Sequence, residues 1–178
     1  MNKYQIISIS VLVFVLVFTG CTKEEEPNHF RYTINDYPLF QGFIHNYGMP
    51  EGATGYNFDV TLFSEGVSYN RDLHEFRGKG HVLFFQFYSS AATELANGTY
   101  QFAAGKSPLT LDVANFGMQM NFENETGTIV TGVSGLVQVS GNANERVFDF
   151  EFLTGTGERI TGHFNRTLPV YDMRDARK

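Results

Sequence analysis

Arg146-Val147-Phe148-Asp149-Phe150-Glu151-Phe152-Leu153 sets phenylalanine at every second place from Phe148 to Phe152, with a carboxylate between neighbours. A period of two sends successive side chains to opposite faces of a strand, so Phe148, Phe150 and Phe152 share an inner face while Asp149 and Glu151 point outward. On either side, residues 129–140 and 159–168 are set off by Gly141-Asn142-Ala143-Asn144 and Thr154-Gly155-Thr156-Gly157. Two short polar loops containing glycine make this a C-terminal three-strand meander, with Ile160 and Phe164 on the same inner face.

The same period recurs upstream. In Tyr56-Asn57-Phe58-Asp59-Val60-Thr61-Leu62 every second residue is apolar, and Asn57, Asp59 and Thr61 face the other way. Residues 81–88, His81-Val82-Leu83-Phe84-Phe85-Gln86-Phe87-Tyr88, carry bulk on both faces and read as a central strand covered on both sides. Residues 30–34 and 39–44 flank Asn35-Asp36-Tyr37-Pro38, whose residues favour a turn, so the first hairpin is expected there. Residues 90–96 form the one expected helical turn, ended by Asn97-Gly98 before a strand at 99–103. Two further strands are expected at 109–113 and 116–122. The fold class is all-β: an antiparallel β-sandwich or flattened barrel of about 8–10 strands of ordinary length, with at most one short helix. Alternation alone leaves sandwich and barrel open.

The amino terminus follows a different logic. Lys3 precedes an apolar run over residues 6–18, followed by Thr19, Gly20, Cys21 and Thr22-Lys23-Glu24-Glu25-Glu26. A run of 13 residues is short of the roughly 20 needed to span a bilayer, and a basic start, a short apolar middle and small residues ahead of the cut fit a removable secretory signal. Phe18-Thr19-Gly20-Cys21 resembles a bacterial lipobox, with Phe18 in place of the usual leucine, a departure seen among Bacteroidetes lipoproteins. The resemblance implies cleavage between Gly20 and Cys21 and lipidation of Cys21. The acidic run after Cys21 is similar to the export signal of Bacteroidetes lipoproteins, which implies the outer face of the outer membrane, with its periplasmic face as the alternative. Gly98-Thr99-Tyr100, Gly127-Thr128-Ile129 and Ile160-Thr161-Gly162-His163-Phe164 further resemble strands of uncharacterised β-rich surface lipoproteins of that group, for which no activity is implied. The expected organisation is a signal peptide over residues 1–20, a lipidated cysteine and flexible acidic tether over 21–29, one β domain over 30–172 and a polar tail over 173–178.

Charge and cysteine usage narrow the function. The chain has 13 basic and 19 acidic residues, and removal of the signal takes away Lys3 and no acid, so nucleic acid is not an expected partner. The sole cysteine is Cys21, and once lipidated it leaves no disulfide, no cysteine-ligated zinc and no cysteine nucleophile. No cofactor is expected.

Candidate chemistry is sparse. Gly105-Lys106-Ser107 lacks the earlier glycine of a phosphate loop, with Tyr100 in its place, and Pro108 stands where a helix should begin. Gly132-Val133-Ser134-Gly135-Leu136 ends in leucine and lies on an expected strand, so Ser134 reads as a wet-face residue. Asp149 and Glu151 have a spacing compatible with paired-carboxylate hydrolysis, yet their simpler reading is a solvated face with Arg159 or His163 as cross-strand partners. His29, His45, His74, His81 and His163 show no metal-ligand spacing; His74, with Glu75 and Asp72, is the first place to look, and no metal site is expected.

Three functions follow. The leading expectation is a noncatalytic extracytoplasmic binding module for a glycan, a small apolar ligand or a protein partner, tethered to the membrane through its lipid. Tyr32, Tyr47, Tyr56, Tyr69, Tyr88 and Tyr100 would supply stacking rings in a chain without tryptophan, provided most are not buried. The alternatives are a carboxylate-based hydrolase of a cell-envelope or glycan substrate, favoured by a pocket that brings at least two of Asp59, Asp72, Glu75, Asp149 and Glu151 together with one unpaired, and a structural or assembly accessory of an outer-membrane complex.

Overall fold

A computed structural model describes residues 26–142 and 145–177. The expected signal peptide, the expected cleavage and lipidation positions Gly20 and Cys21, and the expected tether up to residue 25 lie outside the described residues. The domain is all-β. Its strands are β1 (His29–Tyr32), β2 (Asn35–Pro38), β3 (Gln41–Gly48), β4 (Tyr56–Phe63), β5 (Val67–Asn70), β6 (Glu75–Ser89), β7 (Gly98–Phe102), β8 (Thr110–Asn121), β9 (Thr126–Asn142), β10 (Glu145–Thr154), β11 (Arg159–Arg166) and β12 (Val170–Asp172).

These strands form one curled sheet in the order β12-β3-β4-β6-β8-β7-β9-β10-β11-β1-β2, with β5 paired to the outer part of β6. Pairing is antiparallel except at β12–β3 and β7–β8. The C-terminal meander β9–β10–β11 is present in the expected register, Phe148 opposite both Val139 and Phe164. The twelve strands among the described residues exceed the eight to ten expected because β2, β5 and β12 are only 4, 4 and 3 residues long, too short for alternation to reveal.

The sheet curls until its two halves face each other. Phe85 of β6 lies 5.3 Å from Phe150 and 5.8 Å from Phe152 of β10, and Phe30 of β1 lies 5.8 Å from Phe116 of β8 (centroid distances). The result is a half-barrel closed like a sandwich, with one main core between its layers. Phe148, Phe152, Ile160 and Phe164 are fully buried there, and Phe150 nearly so.

Three local expectations are corrected. The first hairpin turns at Thr33 and Ile34, with Thr33 at φ 55°, and residues 35–38 form β2 instead of the turn. Pairing there brings Arg31 onto Asp36 at 2.6 Å and stacks Tyr37 on Phe30 at 4.8 Å, while Pro38 is tolerated at the end of an edge strand. Residues 90–96 form bends, not a helical turn. The buried Ser89 hydroxyl donates to the Glu94 carbonyl at 3.0 Å and accepts from the Ala91 and Ala96 amides at 3.1 and 2.9 Å, replacing a helical ladder. The only helical element among the described residues is the 3-10 turn Arg174–Arg177. Residues 109–113 and 116–122 belong to one strand, β8, because Ala114 is buried in the core and Asn115 pairs with Thr131, leaving no break between them.

Candidate functional site

The outward face of β3, β4 and β6 is where a second layer of side chains collects. Alternation sends Ile44, Val60, Leu62, Leu83 and Phe85 into the main core, so Phe43, His45, Asp59, Thr61, Phe84 and Gln86 emerge on the other side. The β5–β6 hairpin bends over this face. Gly78, at φ 87°, makes the bend possible: a Cβ there would lie 2.1 Å from the Gly66 carbonyl oxygen. Phe43, Phe63 and Val67 form a small second cluster under the hairpin, with Tyr69, Phe76 and Tyr171 packed against it.

Between hairpin and sheet lies an open cleft of about 430 Å³ lined by Phe43, His45, Tyr47, Asp59, Thr61, Tyr69, His74, Phe76, Phe84 and Met173. Its walls are rings. Tyr69 stacks on Phe43 at 4.3 Å, Tyr47 meets His45 edge-on at 5.8 Å, and Tyr171 lies 5.7 Å from His45 with the Arg71 guanidinium 4.4 Å above its ring. Its floor is a polar row across three strands, since register sets His45 opposite Asp59 and Asp59 opposite Gln86. Asp59 is 8% exposed, and its Oδ1 accepts from Asn57 Nδ2 at 2.9 Å and Gln86 Nε2 at 3.2 Å. Two amide donors keep this buried carboxylate satisfied.

His45 and His74 complete the site. His45 is 6% exposed, and its Nε2 is buried without a hydrogen-bond partner. His74 closes the β5–β6 turn in a left-handed conformation at φ 53°, after Asn70 Oδ1 has accepted from the Asp72 and Leu73 amides at 3.0 and 3.1 Å. Its Nδ1 lies 3.0 Å from the Tyr69 hydroxyl, and its ring centroid is 6.5 Å from that of His45.

Burial pushes the His45 imidazole below its ordinary pKa, helped by the nearby His74 and Arg71, and burial does the same to His81. A histidine depressed in the folded state takes up protons more readily when unfolded. Its contribution to stability is therefore complete above about pH 6.5, and is lost as pH falls from there through the lower folded value. Urea midpoints are expected to drop on going from about pH 7 to about pH 5, with a smaller drop in His81→Gln; an unchanged slope in that variant would clear His81 of the effect.

The other carboxylate candidates lie outside the cleft; Asp149 and Glu151 share a recess on the outward side of β10 and β11, where each is paired. Asp149 pairs with His163 at 2.6 Å, and Glu151 meets Arg159 through two bonds of 2.9 and 2.7 Å, the cross-strand partners expected for a wet face. Glu75 pairs with Arg77 at 3.4 Å, and Asp72 is exposed in the hairpin turn. Thus Asp59 alone of the five carboxylates lines the cleft. Ser134 is exposed on β9, and Lys106 sits in a loop at φ 51°. Of the six tyrosines, Tyr88 and Tyr100 are buried in the core, while Tyr32, Tyr47, Tyr56 and Tyr69 are half-buried, with Tyr47 and Tyr69 in the cleft. Glu26 lies 3.9 Å from His163 beside Asp149, an exposed group on the outward side of β10 and β11.

His45 was not singled out by its spacing. The available signal was bulk on both faces of residues 81–88, which demanded a cover over Phe84 as well as over Phe85.

Fold and cleft together define an all-β domain with a ring-lined recess on the outer face of one layer. The chain matches no known protein family, no curated protein and no solved structure.

Proposed function

We propose that this chain is a membrane-anchored bacterial lipoprotein whose β domain is a noncatalytic extracytoplasmic binding module, taking a sugar-like ligand in the cleft of β3, β4 and β6. The observation that carries this reading is the combination of tyrosine rings with a buried polar row in one recess. Tyr47 and Tyr69 offer stacking surface, and Thr61, Asp59 and His45 offer groups for hydroxyls. A volume of about 430 Å³ falls within the range of small-ligand sites.

In an anchored chain the tether would enter the domain on the side away from the cleft. Glu26 approaches the outward side of β10–β11, whereas the cleft opens on the outward side of β3–β4–β6. Since β6 and β10 pack inner face to inner face, those two outward sides look in opposite directions. A tether from Cys21 reaching Glu26 would therefore leave the cleft unobstructed by the anchor, with the outer membrane's external face as the proposed location and its periplasmic face as the alternative.

Two measurements test the reading. Cys21→Ala is expected to leave the membrane fraction and lose acyl mass; membrane retention with no loss of lipid mass would overturn the anchor. On an oligosaccharide panel, Tyr69→Ala and Tyr47→Ala are expected to weaken retention about threefold to tenfold each, the effect of losing a ring contact of about 0.5–1.5 kcal/mol. Retention by both variants equal to the native chain's would remove the cleft as the sugar site.

A further inference from the structure

His45 presents a feature that stacking of a sugar leaves unexplained. An unmet nitrogen on a nine-tenths buried side chain is costly, and such groups are ordinarily answered by a water or an ion. The nearest imidazole, His74, has its Nδ1 engaged by the Tyr69 hydroxyl, which leaves Nε2 for another partner. That is how metal-binding histidines are held: one ring nitrogen is fixed by an outer hydrogen bond and the other faces the ion.

Two imidazoles held tetrahedrally on one ion by metal–nitrogen bonds of about 2.0–2.1 Å have ring centroids roughly 5 Å apart. The observed 6.5 Å is wider than that, and because His74 is on an exposed hairpin turn, a shift of roughly 1.5 Å in its ring brings the pair to tetrahedral geometry. Asp59, directly opposite His45 in the β3–β4 register, places negative charge beside the ion and offsets Arg71 at the rim.

We infer that His45 and His74, with Tyr69 positioning His74, form a site for one borderline divalent transition-metal ion at the floor of the cleft. Zinc is the natural probe, because imidazole nitrogen suits it and it imposes little geometry of its own. The exposed group Glu26, Asp149 and His163 is the competing location on the opposite face.

The test uses the full lipidated chain in detergent, titrated with Zn²⁺ against a chromogenic chelator. One ion per chain is expected. His74→Asn, which removes the imidazole but tolerates the left-handed backbone, is expected to weaken binding tenfold or more, as is His45→Gln. Tyr69→Phe is expected to weaken binding severalfold by freeing His74 Nδ1, while His163→Gln leaves it unchanged. Because His74 is exposed, its variant remains informative even if His45→Gln fails to fold. Absence of Zn²⁺ binding, native affinity in His74→Asn, or loss confined to His163→Gln would each overturn the site. Zinc binding without sugar retention sinks the sugar reading alone, and sugar retention without zinc binding sinks the metal site alone.

Discussion

Phe85→Ala is expected to destabilise the domain by about 3–5 kcal/mol, read as a fall in the urea midpoint with an unchanged slope. Phe85 is fully buried on β6 and touches rings from both layers: Phe87 and Phe116 at 5.8 Å on its own side, Phe150 at 5.3 Å and Phe152 at 5.8 Å across the core. Removing it opens a void bounded by aromatic rings, which cannot collapse without moving both halves of the sheet. Ile34 supplies the contrast. It is 91% exposed in the first hairpin turn, and Ile34→Ser is expected to stay within about 0.5 kcal/mol. Similar costs for the two substitutions would mean that the layers do not meet at Phe85.

The second large effect concerns Arg146, whose side chain is only 7% exposed. Its guanidinium donates to Asn97 Oδ1 at 2.8 Å and to Glu94, itself 63% exposed, at 3.1 Å. Stripping both acceptors in Asn97→Ala/Glu94→Ala leaves a buried charge with neither partner and is expected to cost about 3–5 kcal/mol. Arg146→Met removes the charge together with its need for partners while keeping most of the volume, and is expected to cost about 1 kcal/mol or less. Thermal unfolding of the two variants side by side decides it: a methionine variant as unstable as the double variant would show that the guanidinium stabilises by more than satisfying its own burial.

The meander around Phe148, Phe150 and Phe152 was legible because its strands are long, their alternation is strict and polar glycine loops separate them. Asp149 and Glu151 were assigned the right neighbours for the same reason, since cross-strand partners follow from register. Alternation failed where other forces chose the backbone. At residues 35–38 turn-forming residue types were overridden by the Arg31–Asp36 pair and the Phe30–Tyr37 stack, and at residues 90–96 a single buried hydroxyl, Ser89, organised the loop. The cleft was half visible. Tyr47, Tyr69, Asp59 and His74 are each candidates from the sequence, but nothing in their spacing joins them.

The linear sequence by itself determined that the domain is all-β, which strands meet in the C-terminal meander, and that its stability rests on packed phenylalanine without a disulfide. These are properties of local periodicity and composition, and they need no knowledge of distant neighbours. Only the tertiary structure decided that the sheet curls into two facing layers, that the β5–β6 hairpin folds over the outer side of one of them, and that His45 and His74 come within 6.5 Å across 28 intervening residues. The reason is that curling depends on which strands pair across long loops, and a face left uncovered by the main core acquires its partners only once that pairing is made.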